Sequence, residues 1–248
     1  MKELLAEIDN LKEQLNRLRY IQGEKVAKAF EMEYTYESNR IEGNTLTLQE
    51  TVLVIEKGLT ISGKSLHEHL EAINHSFALN YIKELVSEKA PLTKHELLNI
   101  DKLILQGVDN SNGGKFRTVQ VLISGAKHIP PQPFMVDELM EGFFKWYYDN
   151  KDSIHPVILA AEIHERLVTI HPFIDGNGRT SRLLMNLILL QHGYPIAILK
   201  GDSENRLKYY QVLEIAQMDG DNEPFIEMVA LNVKEILLRI LQVLNFNI

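Results

Sequence analysis

The chain of 248 residues reads as an all-α protein carrying one β-hairpin. Three observations predict this. A Ser or Thr stands three residues before a Glu at Thr47/Glu50, Ser65/Glu68 and Thr93/Glu96. Each pair can satisfy two orphan amides of a first helical turn, so each marks a helix start. Apolar residues elsewhere recur at helical spacing. β-prone sequence is confined to FRTVQVLIS, residues 116–124, and a lone hairpin must lean on helices to persist.

Taken in order, Leu4, Ile8, Leu11, Leu15 and Leu18 alternate steps of four and three, a heptad seam. The seam is too short for an independent coiled coil. It predicts a helix packed on the rest of the domain, with a homo-oligomer contact as the alternative. A second helix, about 26–43, runs into SNRIEGN, residues 38–44. Gly43 and Asn44 suit the left-handed backbone of a helix stop. Glu42 does not suit its place, because a carboxylate in a last turn faces the negative end of the helix dipole. The helices opened at Thr47, Ser65 and Thr93 run to about residues 57, 89 and 106, and DNSNGG, 109–114, is a loop. Pro130, Pro131 and Pro133 impose an extended stretch. Helices resume near 136–149, 156–170, 178–192, 204–218 and 223–244. Phe143, Phe144, Trp146, Tyr147 and Tyr148 read as core and interface aromatics. Residues 1–60 form N-terminal helices and 61–248 the main helical domain, packed as one globular unit.

Composition narrows the function. The chain has 45% apolar and 24% charged residues, values of an ordinary globular protein. Its net charge of −8 repels nucleic acid and anionic lipid, and no basic run overrides it. The absence of cysteine removes disulfides, thiolate nucleophiles and Cys-based zinc sites. No run reaches membrane-span length, and the start is amphipathic and charged, unlike a signal peptide. A soluble, cytoplasmic protein is expected. His164-Glu165 is followed by Val168 where a zincin needs His. His67, His69 and His75 give no closed ligand set and read as surface residues of an amphipathic helix.

The chemistry concentrates in HPFIDGNGRTSR, residues 171–182, between two predicted helices. Pro172 stiffens the exit from the first. Gly176 and Gly178 let the backbone turn its amides inward where the next helix begins, forming an anion nest suited to phosphate. Arg179 and Arg182 lie three apart and can share a face, and Arg pairs with phosphate in bidentate fashion. Asp175 is a hard oxygen ligand for a Mg²⁺ bridging phosphates. His171 can take a proton from an attacking hydroxyl. Together these describe phosphoryl-type chemistry on a nucleotide.

This stretch resembles the Fic signature HxFx(D/E)GNGRxxR and matches it at every specified position. The resemblance implies an all-α Fic-type helical bundle that transfers AMP from ATP to a Ser, Thr or Tyr hydroxyl of a target protein, releasing pyrophosphate. It further implies His171 as the base and Asp175 as the ligand for Mg²⁺ or Mn²⁺. The amides of Gly176, Asn177 and Gly178, with the Asn177 side chain, would form the hole for the α- and β-phosphates. Arg179 would help hold the phosphates, Arg182 would pair with the γ-phosphate, and Phe173 would anchor the loop. Arg117 to Gly125 is placed like the Fic flap, a hairpin on which the target adds as a strand. Arg117, Thr118, Val119, Gln120, Val121, Leu122 and Ile123 are its expected target-binding residues. Arg206, Tyr209 and Tyr210 resemble the region lining the base, with core tyrosines as the alternative. The recognisable core runs from about 94 to 217. Relatives that phosphorylate carry lysine in place of the second glycine. Gly178 is intact, which favours AMP transfer and leaves UTP or GTP open as donors.

A second family motif, (S/T)xxxE(G/N), is matched by Ser38, Glu42 and Gly43. In such relatives the glutamate pairs with the second motif arginine, here Arg182, and blocks productive ATP binding. An autoinhibited transferase is the leading expectation. The alternative is a hydrolase that removes AMP, with Glu42 positioning water. A non-catalytic nucleotide sensor is weaker, since it needs neither His171 nor Asp175. Self-modification and a change of oligomer are candidate ways to lift the block.

Overall fold

A computed structural model describes residues 1–18 and 23–245 of the chain. Among these it comprises α1 (Lys2–Leu18), α2 (Gly23–Ile41), α3 (Leu48–Lys57), α4 (Leu66–Ser87) and α5 (Lys94–Ile104). A 3₁₀ turn (Pro133–Met135) then leads into α6 (Val136–Asn150), α7 (Pro156–Ile170), α8 (Asn177–Gln191), α9 (Ser203–Asp219) and α10 (Glu223–Asn245). The three predicted caps are present. The Thr47 and Ser65 side chains accept from the third amide of α3 and α4, and Glu50 and Glu68 return the bond to the cap backbone. Thr93 accepts from the Glu96 amide at the start of α5.

α7 and α8 form the centre. Leu183, Leu184, Met185, Leu187, Ile188 and Leu189 of α8 and Leu159, Ala160, Ile163 and Leu167 of α7 are all fully buried. A helix apolar around most of its circumference has to be surrounded, and α4, α5, α7 and α2 surround α8. Burying each large aliphatic side chain contributes about 1.5–3 kcal/mol. The α1 seam packs on α10 within the same chain, with Leu5, Ile8, Leu11 and Leu15 in the main core and Leu4 and Leu18 packed at its edge. Of the α6 aromatics, Phe143 and Tyr147 are core, while Tyr148 is exposed and bonds the Leu92 carbonyl.

Two expectations are corrected here. The 116–124 segment forms no strand, and no strand occurs among the described residues. Its return arm carries Pro130 and Pro131, which donate no amide to a ladder. The loop is held instead by side chains. Arg117 donates from Nη1 to the Val119 carbonyl (3.1 Å) and from Nη2 to the Pro131 carbonyl (2.6 Å). Gln120 Nε2 reaches the Pro130 carbonyl at 2.9 Å. Second, His69 and His75 are buried rather than on the surface, at 6% and 0% exposure. The face of α4 that carries them is covered by α2 and by the 58–64 turn. His75 Nδ1 meets Thr35 Oγ1 at 3.1 Å, and His69 Nε2 accepts from the Ile61 amide at 2.8 Å.

Candidate active site

The site lies where α7 ends, α8 begins and α2 ends. His171 caps α7 in the left-handed region, φ 52. That conformation is uncommon for a side-chain-bearing residue, but a residue before proline is disfavoured from continuing a helix. The His171 amide closes on the Leu167 carbonyl, and Nδ1 faces the Val168 carbonyl at 3.3 Å. A carbonyl only accepts, so Nδ1 carries the proton and Nε2 keeps its lone pair. Burial lowers the His171 pKa to about 4, with the nearby Arg117 and His128 acting in the same direction. The ring is therefore neutral at pH 7 and available as a base. Arg117 Nε donates to the His171 carbonyl at 2.8 Å, tying the loop to this residue.

The 172–177 turn is pinned from inside. Phe173 is fully buried against Phe116, ring centroids 5.8 Å apart. The Asn177 side chain clasps the same residue, accepting from the Phe173 amide (2.9 Å) and donating to its carbonyl (3.0 Å). In this arrangement the Asn177 side chain binds the loop backbone, and the residue is buried. Gly176, at φ 80, is the N-cap of α8 and has no side chain to cap it. The first-turn amides are thus left for an external acceptor.

The anion placed beside that end is Glu42. A Cβ on Gly178 would collide with Glu42 Oε1 and would stand 3.1 Å from Arg182 Nη1. Arg182 Nη2 donates to Glu42 Oε1 at 2.6 Å. The guanidinium is 1% exposed and is completed by Ser38 Oγ on Nε (3.0 Å), the Ser38 carbonyl on Nη2 (2.9 Å) and Tyr209 OH on Nη1 (3.4 Å). Burial pushes the Glu42 carboxyl upward, but Arg182, Arg179 and Arg206 outweigh it and hold the group below the ordinary carboxylate value. Burial likewise disfavours the Arg182 charge, and Glu42 more than restores it. Gly43, at φ 99, releases the chain from α2 immediately afterwards.

Tyr209 is 2% exposed, and its hydroxyl accepts from Arg182 Nη1. Its hydroxyl also meets His164 Nε2 at 3.0 Å. Tyr210 is partly exposed, bonds the Ile41 carbonyl at 3.2 Å, and lies under the Arg206 guanidinium. Thr118, Val119, Gln120 and Leu122 are exposed beside the site, while Arg117 is buried and Val121 and Ile123 are half-buried.

Asp175 projects into solvent and accepts from its neighbouring Gly176 amide (2.6 Å) and from Arg179 Nη2 (3.3 Å). No group of three or more His, Cys, Asp or Glu able to hold a metal occurs among the described residues. One exposed carboxylate beside an anion seat fits Mg²⁺ or Mn²⁺ arriving on nucleotide phosphates, since Mg²⁺ keeps waters and takes only one or two carboxylates. Sequence reasoning missed Glu71, whose Oε1 accepts from Arg179 Nη1 at 2.8 Å. It also missed Asp101, fully buried under Gly176 and accepting from the Gly114 amide at 2.7 Å. Both lie on helices with nothing local to set them apart from surface acids.

Compared with solved structures, the whole chain superposes on residues 134–508 of Fic-1 from C. elegans with a TM-score of 0.89 and 31% identity, covering 73% of that chain. The chain belongs to the Fic family. The Fic/DOC family itself is matched over residues 91–189. A Fic domain containing signaling protein from Bacteroides thetaiotaomicron is similar over 94% of this chain and 95% of its own, at TM-score 0.84 and 28% identity. Among curated relatives, the protein adenylyltransferase Fic of Drosophila persimilis is 42% identical over 199 residues, 80% of this chain and 38% of that protein. The Drosophila melanogaster protein of the same name is 38% identical over 229 residues, 91% of this chain and 46% of its own. This Fic chain spans less than half the length of those relatives.

Proposed function

We propose that this Fic protein is an autoinhibited protein adenylyltransferase. In the reaction the oxygen of a Ser, Thr or Tyr hydroxyl attacks the α-phosphorus of ATP. The bond from that phosphorus to the bridging oxygen breaks, pyrophosphate leaves, and the hydroxyl proton passes to His171 Nε2. The α8 amides and Arg179 and Arg182 would hold the phosphates, and Asp175 would meet the Mg²⁺ that accompanies ATP. The relatives' designation as protein adenylyltransferases supports the reaction class.

The observation that carries the reading is the seat of Glu42. Its carboxylate lies against Gly178 and on Arg182, at the uncapped start of α8. An anion there competes with a triphosphate for the same amides and the same guanidinium. Glu42→Gly should therefore incorporate label from α-labelled ATP in the presence of Mg²⁺ or Mn²⁺, and adding His171→Ala should abolish it. Transfer of γ-label instead would make the enzyme a kinase and overturn the reading.

A second reading has one observation in its favour. Glu42 lies within electrostatic range of His171 and raises its pKa slightly against burial. A water between these two side chains could cleave AMP from a modified hydroxyl, with His171 returning the proton. Incubating the wild type with pre-modified target tests this. AMP release that disappears in Glu42→Gly makes removal the main activity, and no release retires the idea.

A further inference from the structure

The Glu71 carboxylate serves two partners in two parts of the site. Oε1 accepts from Arg179 Nη1 at 2.8 Å, and Oε2 accepts from Asn44 Nδ2 at 3.0 Å. Asn44 stands two residues beyond Glu42. It is itself fixed, donating to the Glu68 carbonyl at 3.0 Å and accepting from the Leu46 amide at 3.0 Å. Asn39, inside α2, adds a contact to the Glu71 carbonyl at 3.4 Å. Glu71 and Arg179 are 7% and 2% exposed, so the pair is shielded from water. A buried guanidinium needs a paired anion and is directional about how it takes one.

From Arg179 the chain of contacts continues to Asp175 at 3.3 Å. The Asp175 side chain is 56% exposed, so packing does not fix its rotamer. Its orientation rests on the Gly176 amide and on Arg179. Arg179 Nε is buried and has no hydrogen-bond partner. Of the two anions that hold this guanidinium, only Glu71 is itself buried and anchored by other residues.

Resting on the transferase reading above, we propose that Glu71 is a positioning residue. It holds Arg179 so that Arg179 in turn aims the Asp175 carboxylate at a phosphate-bound cation, and it fixes this arrangement to Asn44 independently of Glu42. The Glu42 side chain makes none of these contacts, so Glu42→Gly removes none of them. The cation-binding side of the site is thus kept in order while the anion seat is blocked, and it is ready when the block is released.

The test compares Glu42→Gly with Glu42→Gly/Glu71→Gln. ATP binding is measured by calorimetry across a Mg²⁺ titration, and AMP transfer is followed in parallel. Glutamine keeps the shape and one of the two accepting oxygens but removes the charge that orients Arg179, and its amide nitrogen stands where the second acceptor was. Loss of an outer-shell partner typically weakens metal binding or activity by about 10- to 100-fold. The half-saturating Mg²⁺ concentration for ATP binding should therefore rise by about tenfold or more, with little change in binding of Mg²⁺-free ATP. An unchanged Mg²⁺ dependence overturns the proposal, including where kcat or melting temperature falls, because that pattern is a packing defect. If Glu71→Gln does not fold, Glu71→Asp carries the same test, as it retains the charge but draws it back by one methylene. Should Glu42→Gly transfer no AMP at all, the transferase reading fails, while the binding titration still decides the role of Glu71.

Discussion

Arg182 and Glu42 meet at 2.6 Å across 140 residues of chain, one side chain from the centre of the core and the other from just past the end of α2. Arg182 reaches out of the most buried helix of the protein, so its charge must be met by something brought to it. Removing Glu42 leaves that charge with only the neutral partners Ser38 and Tyr209.

The first prediction concerns this pair. A hydrogen bond to a charged group contributes about 1.5–3 kcal/mol, so Glu42→Gly should raise AMP transfer by roughly ten- to a hundredfold. The same variant should melt at a lower temperature than the wild type when free of ligand, because it strands the charge of Arg182, whose side chain is 1% exposed against 31% for Glu42. ATP or inorganic triphosphate should restore much of the loss by placing a new anion on Arg182. Scanning calorimetry with and without the anion checks this, and a variant that melts like the wild type in both states would count against it.

If Glu42 acts as the proposed block, Gly201 offers a way to loosen it without touching a site residue. A Cβ there would stand 2.8 Å from the Ile41 amide nitrogen, 2.9 Å from Arg40 Cβ and 2.9 Å from the Glu37 carbonyl. These are backbone and near-backbone atoms of the last turns of α2, which cannot rotate aside. Gly201→Ala should displace the end of α2, lower the melting temperature, and give AMP transfer above the wild-type level but below that of Glu42→Gly.

On the transferase reading, Arg117→Ala should separate target handling from nucleotide handling. The three Arg117 donors hold the carbonyls of Val119, Pro131 and His171, and none points to the anion seat. In a Glu42→Gly background, Arg117→Ala should raise KM for the protein target several-fold or more while changing KM for ATP little. Steady-state kinetics in both substrates would show it, and an equal loss in ATP affinity would refute the separation.

The pH response has a definite sign. His75 and His164 are buried, and burial with the nearby Arg182 holds both pKa values well below 6.5; His171 is at about 4. The unfolded chain takes up protons near pH 6.5 that the native state does not. Stability from these groups is therefore full above about pH 7 and falls as the pH drops toward 4. Asp101 acts in the opposite direction. Burial raises its pKa to about 8, so its native carboxyl is protonated at neutral pH; its contribution is full below about pH 4, falls as the pH rises above that, and is gone by about pH 8. Asp101→Asn should melt near the wild-type temperature at about pH 4 and above it at about pH 9. Melting curves at the two pH values decide it, and a difference of equal size at both would rule out titration as the cause.

Much of this was legible because it is local. Helix starts at Thr47, Ser65 and Thr93 are written in four-residue pairs whose bonds close within one turn. The turn at 171–178 depends on Pro172, Gly176 and Gly178, whose backbone preferences hold in any context. Glu42 stood out because its charge conflicted with its own helix end, and such a conflict signals a distant partner.

The rest required the fold. FRTVQVLIS has strand propensity, but a strand exists only when another backbone offers it amides, and the prolines of the return arm do not. His75 and Glu71 share α4 with exposed polar residues, and only the packing of α2 and α8 onto that helix decides which face is buried. The fold alone places the Tyr209 hydroxyl between Arg182 and His164. The sequence by itself determined the elements, the loop chemistry and the presence of a carboxylate without a local partner. Tertiary structure alone decided which anion meets which cation, because burial makes the pairing of each charge obligatory and only the folded chain determines which partners lie within 3 Å.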